Sequence, residues 1–106
     1  MTRGQERGQP FQKTATHATS AVATQTGVVG RRSFITDISG SSDKAGALIL
    51  VKDGSTTIWQ DRIGNTGAYE HTFSTPIAAS NDADISVTVD GTALANSNMA
   101  GYTLPY

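Results

Sequence analysis

From Ser20 onward the chain is a succession of short runs rich in β-branched and apolar residues, each broken by Gly, Asp, Asn or Ser. No window of 11 or more residues sets apolar side chains at helical spacing; the stretch 14–24, with its alanines, is the weakest exclusion. Strands are left as the main regular element. Seven or eight of them at intervals of ~8–12 residues predict an all-β sandwich or barrel of short antiparallel strands.

The runs differ in clarity. Ser20–Thr26 is a weak first strand. Ser33–Ser39 alternates, which predicts Phe34, Thr36 and Ile38 on one face and Ile35 and Asp37 on the other. Ala47–Lys52 is apolar on both faces, as a central strand covered twice would be. Thr56–Arg62 follows Asp53-Gly54-Ser55, and Asp-Gly between two such runs signals a hairpin. Ala68–Ser74 predicts Tyr69, His71 and Phe73 on a common face, and Pro76 makes 75–79 an edge or a bend. Asp84–Val89 turns Ile85, Val87 and Val89 inward. After a loose stretch, 92–98, Met99–Leu104 closes the body. The expected core is Phe34, Ile38, Leu48, Leu50, Ile58, Trp59, Phe73, Ile85, Val87, Val89, Tyr102 and Leu104. This is a thin core for the chain length, which implies contacts between subunits.

The first 19 residues read differently. Besides Met1 they carry one large apolar side chain, Phe11, too little to offset the entropy of ordering them. Residues 1–19 are thus expected as an extended arm ordered by a partner, with 20–106 as the folded domain. Charge follows a similar division. Residues 1–32 hold five basic residues against Glu6, a net +4; residues 33–106 hold three against eight acids, a net −5; the sum is the overall −1. A basic lead on an acidic body suits an arm that docks on an acidic surface.

The chemistry-bearing residues are few. There is no Cys, which excludes disulfides and thiolate metal sites. No run approaches the length of a membrane helix, and no apolar signal core is expected at the N-terminus. The near-neutral balance argues against nucleic acid as a direct partner. A nucleophile-elbow pentad, a phosphate-binding loop and a dinucleotide-binding glycine pattern are all missing. His17 and His71 lack a ligand at metal-binding spacing, so no catalytic residue, metal or cofactor is assigned. Residues 81–84 (Asn-Asp-Ala-Asp) offer oxygens to Ca²⁺, but a turn capped by its own Asx side chains is the better reading. Trp59 with Tyr69 could stack on a sugar, although a lone Trp in a small β-domain usually belongs to the core.

The run GVVGRRSFITDISGSSDKAGALILVKDGSTTIWQ, then FSTPIAAS, ISVTVDGT and the terminal GYTLPY, resembles small structural proteins of tailed-phage virions, of the capsid decoration (cement) type. The likeness spans 24–106 and rests on turns and strand edges. It implies a β-sandwich or jelly-roll module without enzymatic activity on the capsid surface of the virion, made in the host cytoplasm. The implied partners are the major capsid protein and further copies of the chain, a trimer rather than a dimer. The implied task is to bind the assembled shell and bridge neighbouring capsid subunits. Arg3, Arg7, Phe11, Lys13, Arg31 and Arg32 are the expected contacts. The alternatives are a neck, tail or fibre accessory protein, or a module binding host-surface carbohydrate through Trp59, Tyr69 or residues 96–98.

Overall fold

Alternation and turn signals resolve into eight strands in a computed structural model, which describes residues 8–64 and 67–106. They are β1 (Gln9–His17), β2 (Ser20–Gln25), β3 (Arg31–Ser42), β4 (Leu48–Asp53), β5 (Thr56–Arg62), β6 (Gly67–Ala78), β7 (Ile85–Asp90) and β8 (Ala95–Pro105). They form two four-stranded antiparallel sheets, ordered β1-β8-β3-β6 and β2-β7-β4-β5. Successive strands alternate between the sheets except across the β4–β5 hairpin. This is jelly-roll strand order, so the expected all-β sandwich is the observed fold. Among the described residues no helix is long and apolar enough to cross a membrane.

The hairpin falls where Asp53-Gly54-Ser55 predicts it. Asp53 pairs with Thr56 across a two-residue turn. The strand pattern of β7 is also as read: Ile85, Val87 and Val89 are fully buried between the sheets. They meet Ile49 and Val51 of β4, Ala21 of β2, and Ile35, Ile38 and Met99 from the other sheet. Trp59, Tyr69 and Phe73 pack on this core from the β5 and β6 edges.

Three expectations need correction. On β3 the pairing register slips between Ile35 and Asp37, on both neighbours. The bulge at Thr36 puts both Ile35 and Ile38 inward, and Phe34 joins Tyr102 on the outer face, rings 5.2 Å apart and 15° from parallel. On β4 the inward side chains are Ile49 and Val51, whereas Leu48 and Leu50 lie half-buried on the outer face. With apolar residues on both faces, periodicity alone cannot choose between them. No second layer covers that face among the described residues; Val22 and Ile58 beside it are exposed.

The third correction concerns the arm. Residues 9–17 are β1, paired with β8 along their whole length, and residues 18–19 bend the chain into β2. Backbone hydrogen bonding to an available sheet edge needs no apolar side chains, and Phe11 and Ala15 add packing against the core. Arg3 and Arg7 fall outside the described residues.

Carboxylates tie several crossings together. Asp43 accepts the backbone N–H groups of Thr92 and Ala93, both at 2.8 Å. Asp61 accepts the Tyr69 hydroxyl at 2.5 Å and the Arg62 N–H at 2.8 Å. The Thr92 backbone bond above all holds Asp43 below the ordinary carboxylate value, and the Tyr69 hydroxyl does the same for Asp61. Burial and the Asp61 carboxylate push Tyr69 up to about 12. Both acids therefore bind fewer protons in the fold than in the unfolded chain. Their stabilisation is complete above the unfolded value of 3.8 and is lost as pH falls through their folded values. Urea midpoints are expected to be flat from neutrality to about pH 5 and to drop toward pH 3. The double variant Asp43→Asn, Asp61→Asn should lower the neutral midpoint and flatten that drop.

Candidate functional site

One end of the sandwich gathers the β2–β3 loop, the β4–β5 turn, the β6–β7 loop and Tyr106. At its tip, residues 28–31 form a turn in which the Arg31 N–H donates to the Val28 carbonyl at 3.0 Å. Gly30 takes φ +81°, the left-handed conformation that the third position of a type II turn requires. This geometry holds Val29 out in water, 88% exposed, with Val28 at 45%.

The tip is rigid because acids from the β6–β7 loop grip it. Asp84 Oδ1 accepts the Gly27 N–H at 2.6 Å, and Asp82 Oδ1 accepts the Gly30 N–H at 2.8 Å. Asp82 Oδ1 also receives the Tyr106 hydroxyl at 2.8 Å, and this bond chiefly raises the tyrosine above its ordinary range. The Asp82 N–H in turn donates to the Arg31 carbonyl at 3.0 Å. Asp82 itself sits at φ +62°, strained for a residue with a Cβ, and these bonds hold it there. Gly27 lies so close to the Asp82 carbonyl that no side chain fits. The β4–β5 turn is laced in as well: Ser80 donates from N and Oγ to Asp53 Oδ2, and the Gly54 N–H donates to the Asp84 carbonyl.

The oxygens read above as possible Ca²⁺ ligands are thus engaged by backbone donors. Asx capping is the arrangement found, though the donors come from more than 50 residues away rather than from the same turn.

The expected contact residues sit in distinct settings. Phe11 is half-buried against Gly101 and serves to hold β1 to the body. Lys13 is exposed on the same strand. Arg31 is half-buried and donates from Nε to Thr103 Oγ1 and from Nη2 to the Thr103 carbonyl, at 2.8 and 2.7 Å. Arg32 donates from Nε to the Ala79 carbonyl at 2.5 Å and lies 5.6 Å from the Phe34 ring centre. The two arginines brace the base of the tip. β1 begins at this same end, since Gln9 pairs with Thr103, and Arg3 and Arg7 lie outside the described residues. Sequence reasoning missed the Val28-Val29 tip; the Gly-Val-Val-Gly spacing was its only local signal.

Elsewhere, Trp59 is not a flat platform. It points inward, 5.2 Å from His71 and edge-on to Phe73 at 5.2 Å. Tyr69 is committed to Asp61. No three metal-ligating side chains cluster among the described residues.

No protein-family model matches the sequence, and no curated protein does. Solved structures do share the fold. The chain is similar to one in the acidic stable capsid of Helicobacter pylori bacteriophage KHP30, at 9% identity over 94% of this chain and 96% of that one, with a TM-score of 0.54. The carbohydrate-binding module CBM36, in complex with calcium and xylotriose, aligns at 14% identity over 84% of this chain and 77% of that one, with a TM-score of 0.46. Against the insecticidal δ-endotoxin Cry8Ea1 of Bacillus thuringiensis the identity is 13% and the TM-score 0.46; the match covers 93% of this chain but spans only 19% of the toxin. At such identities the likeness is one of fold: this chain is a jelly roll similar, over nearly its whole length, to a chain of a bacteriophage capsid.

Proposed function

We propose that this protein is a non-enzymatic structural component of a bacteriophage particle, bound to the assembled capsid as a decoration protein. The rigid, exposed Val28-Val29 tip is the observation that carries the docking role. Two adjacent valines held out on a braced loop form a small apolar patch that a partner can cover. The near full-length fold likeness to a phage capsid chain supports the choice of particle.

In this reading the tip inserts into an apolar pocket of the major capsid protein. The basic charge of Arg3 and Arg7 suits an acidic capsid surface, and Arg32 borders the contact, with Lys13 farther along β1. The pre-formed tip has little conformational entropy left to lose on binding. The uncovered Leu48, Leu50, Val22 and Ile58 face suits contact with further copies, so that many modest interfaces on one lattice sum to a stable shell.

Particles lacking the protein, mixed with the full chain and with a chain deleted for residues 1–7, test this. The full chain is expected to sediment with the particles and the deletion to bind more weakly, with a steeper loss for the full chain as salt is raised. If the full chain does not bind emptied capsids, the decoration role fails. Labelled protein seen only at the neck or tail would move it to those parts.

A further inference from the structure

A second feature lies away from the loop end, on the outer face of the β1-β8-β3-β6 sheet. Across this face the pairing brings Gln12 of β1 beside Ala100 of β8, and Ala100 beside Asp37 of β3, which pairs with Thr72 of β6. The next row sets Asn98 against Ser39 and Ser39 against Glu70. Small residues in the middle, Ala100 and Ser39, leave an open groove of about 350 Å³ between taller polar side chains. That lies toward the small end of the range for small-molecule sites.

Its lining offers two amides, two hydroxyls and two carboxylates; its one basic residue, His71, packs its ring against Trp59 and Phe73. Asp37 is pre-aimed: the Thr72 hydroxyl donates to its Oδ1 at 2.8 Å, and the Thr36 hydroxyl lies 2.9 Å from its Oδ2. Asn96, one row farther along β8, uses its amide internally, donating to Ser41 Oγ at 2.6 Å. The side chains of Gln12, Asn98 and Glu70, by contrast, have no hydrogen-bond partner among the described residues. The stacked Phe34 and Tyr102 stand in the row beyond, toward the loop end.

Each ligand class can be weighed against this lining. An anion would meet two carboxylates, with no Lys or Arg in the lining to offset them. An apolar ligand would bury unpaired amides and carboxylates. A bare cation would satisfy the acids but leave the amide N–H groups without acceptors. A ligand carrying many hydroxyls donates to the carboxylates and amide oxygens and accepts from the amide N–H groups at once. We infer that this groove binds a neutral oligosaccharide, through Gln12, Asp37, Glu70 and Asn98. The site is independent of the docking tip and faces a different direction, so a protein seated by its loop end would keep the groove open.

The side-chain amide resonances of Gln12 and Asn98 read binding directly. Cellotriose, maltotriose, xylotriose and triacetylchitotriose are the neutral probes, trigalacturonic acid the acidic probe and spermidine the cationic one. At millimolar concentrations at least one neutral trisaccharide is expected to shift both amides, and trigalacturonic acid to shift neither. Asn98→Ala, checked for an unchanged melting temperature, should bind that trisaccharide about tenfold more weakly, the loss of one or two uncharged hydrogen bonds. The inference is overturned if no neutral trisaccharide shifts the amides, if spermidine shifts them more than any sugar, or if folded Asn98→Ala binds as the native chain does.

Discussion

Val29→Asp is expected to weaken binding to capsids by about 100-fold or more while leaving the fold untouched. Val29 makes no packing contribution that the substitution could remove, being 88% exposed, so its melting temperature should stay within the small range of surface changes. The docked state is another matter. Covering a valine yields about 1.5–3 kcal/mol, and a carboxylate in its place adds the cost of desolvating an unpaired charge. Together these exceed the roughly 2.7 kcal/mol that corresponds to 100-fold. Val29→Ala should lose less, about tenfold, because part of the contact survives. Co-sedimentation of each variant with particles lacking the protein measures both effects. Native-like binding by Val29→Asp would remove the tip from the interface.

The largest expected effect on stability belongs to Gly101→Ala. Gly101 sits in β8 between β1 and β3, opposite Phe11 and Ile35. A methyl group there would fall onto the Phe34 carbonyl oxygen and lie 3.0 Å from Phe11 Cζ. The phenyl ring can turn, but the carbonyl belongs to the bulged strand at the centre of the sheet and has no room to retreat. A loss of about 3 kcal/mol or more is expected, against a total of about 5–15 for a domain of this kind. Gly64→Ala is the control: nothing lies within 4 Å of its added carbon, and the change should be nearly neutral. Urea unfolding of the two variants measures the difference; equal midpoints would show that the β8–β3 contact yields easily.

These two positions also show what sequence reasoning can reach. Gly101 was read only as part of a closing strand, because the atom it must avoid is 67 residues away in the chain. The Thr56–Arg62 strand was found end to end, since its hairpin signal, Asp53-Gly54-Ser55, is local. The alternation of β7 was equally plain because its inward positions, Ile85, Val87 and Val89, are apolar and its outward ones, Ser86 and Thr88, are polar. Alternation failed on β3, where one extra residue at Thr36 reverses the face of Phe34 and of everything before it. It had nothing to say on β4, apolar on both sides. It also understated β1, which earns its place by backbone pairing rather than by side chains.

The candidate sites were less legible still. The tip depends on bonds from Gly27 to Asp84 and from Gly30 to Asp82, and the groove on side chains from four strands. Neither leaves a short-range pattern. The charge division between the leading residues and the body was readable by counting.

The positions of the chain's two ends carry a practical consequence for fusion engineering. Gly8 and Tyr106 both lie at the loop end, and the body is 47 Å long. A foreign peptide joined beside either residue would be delivered to the face proposed for docking. The opposite extremity has a better attachment point in the β7–β8 turn around Leu94, which is exposed and held at its base by Asp43. A cargo inserted there would be carried on a braced turn at the end away from the proposed docking tip.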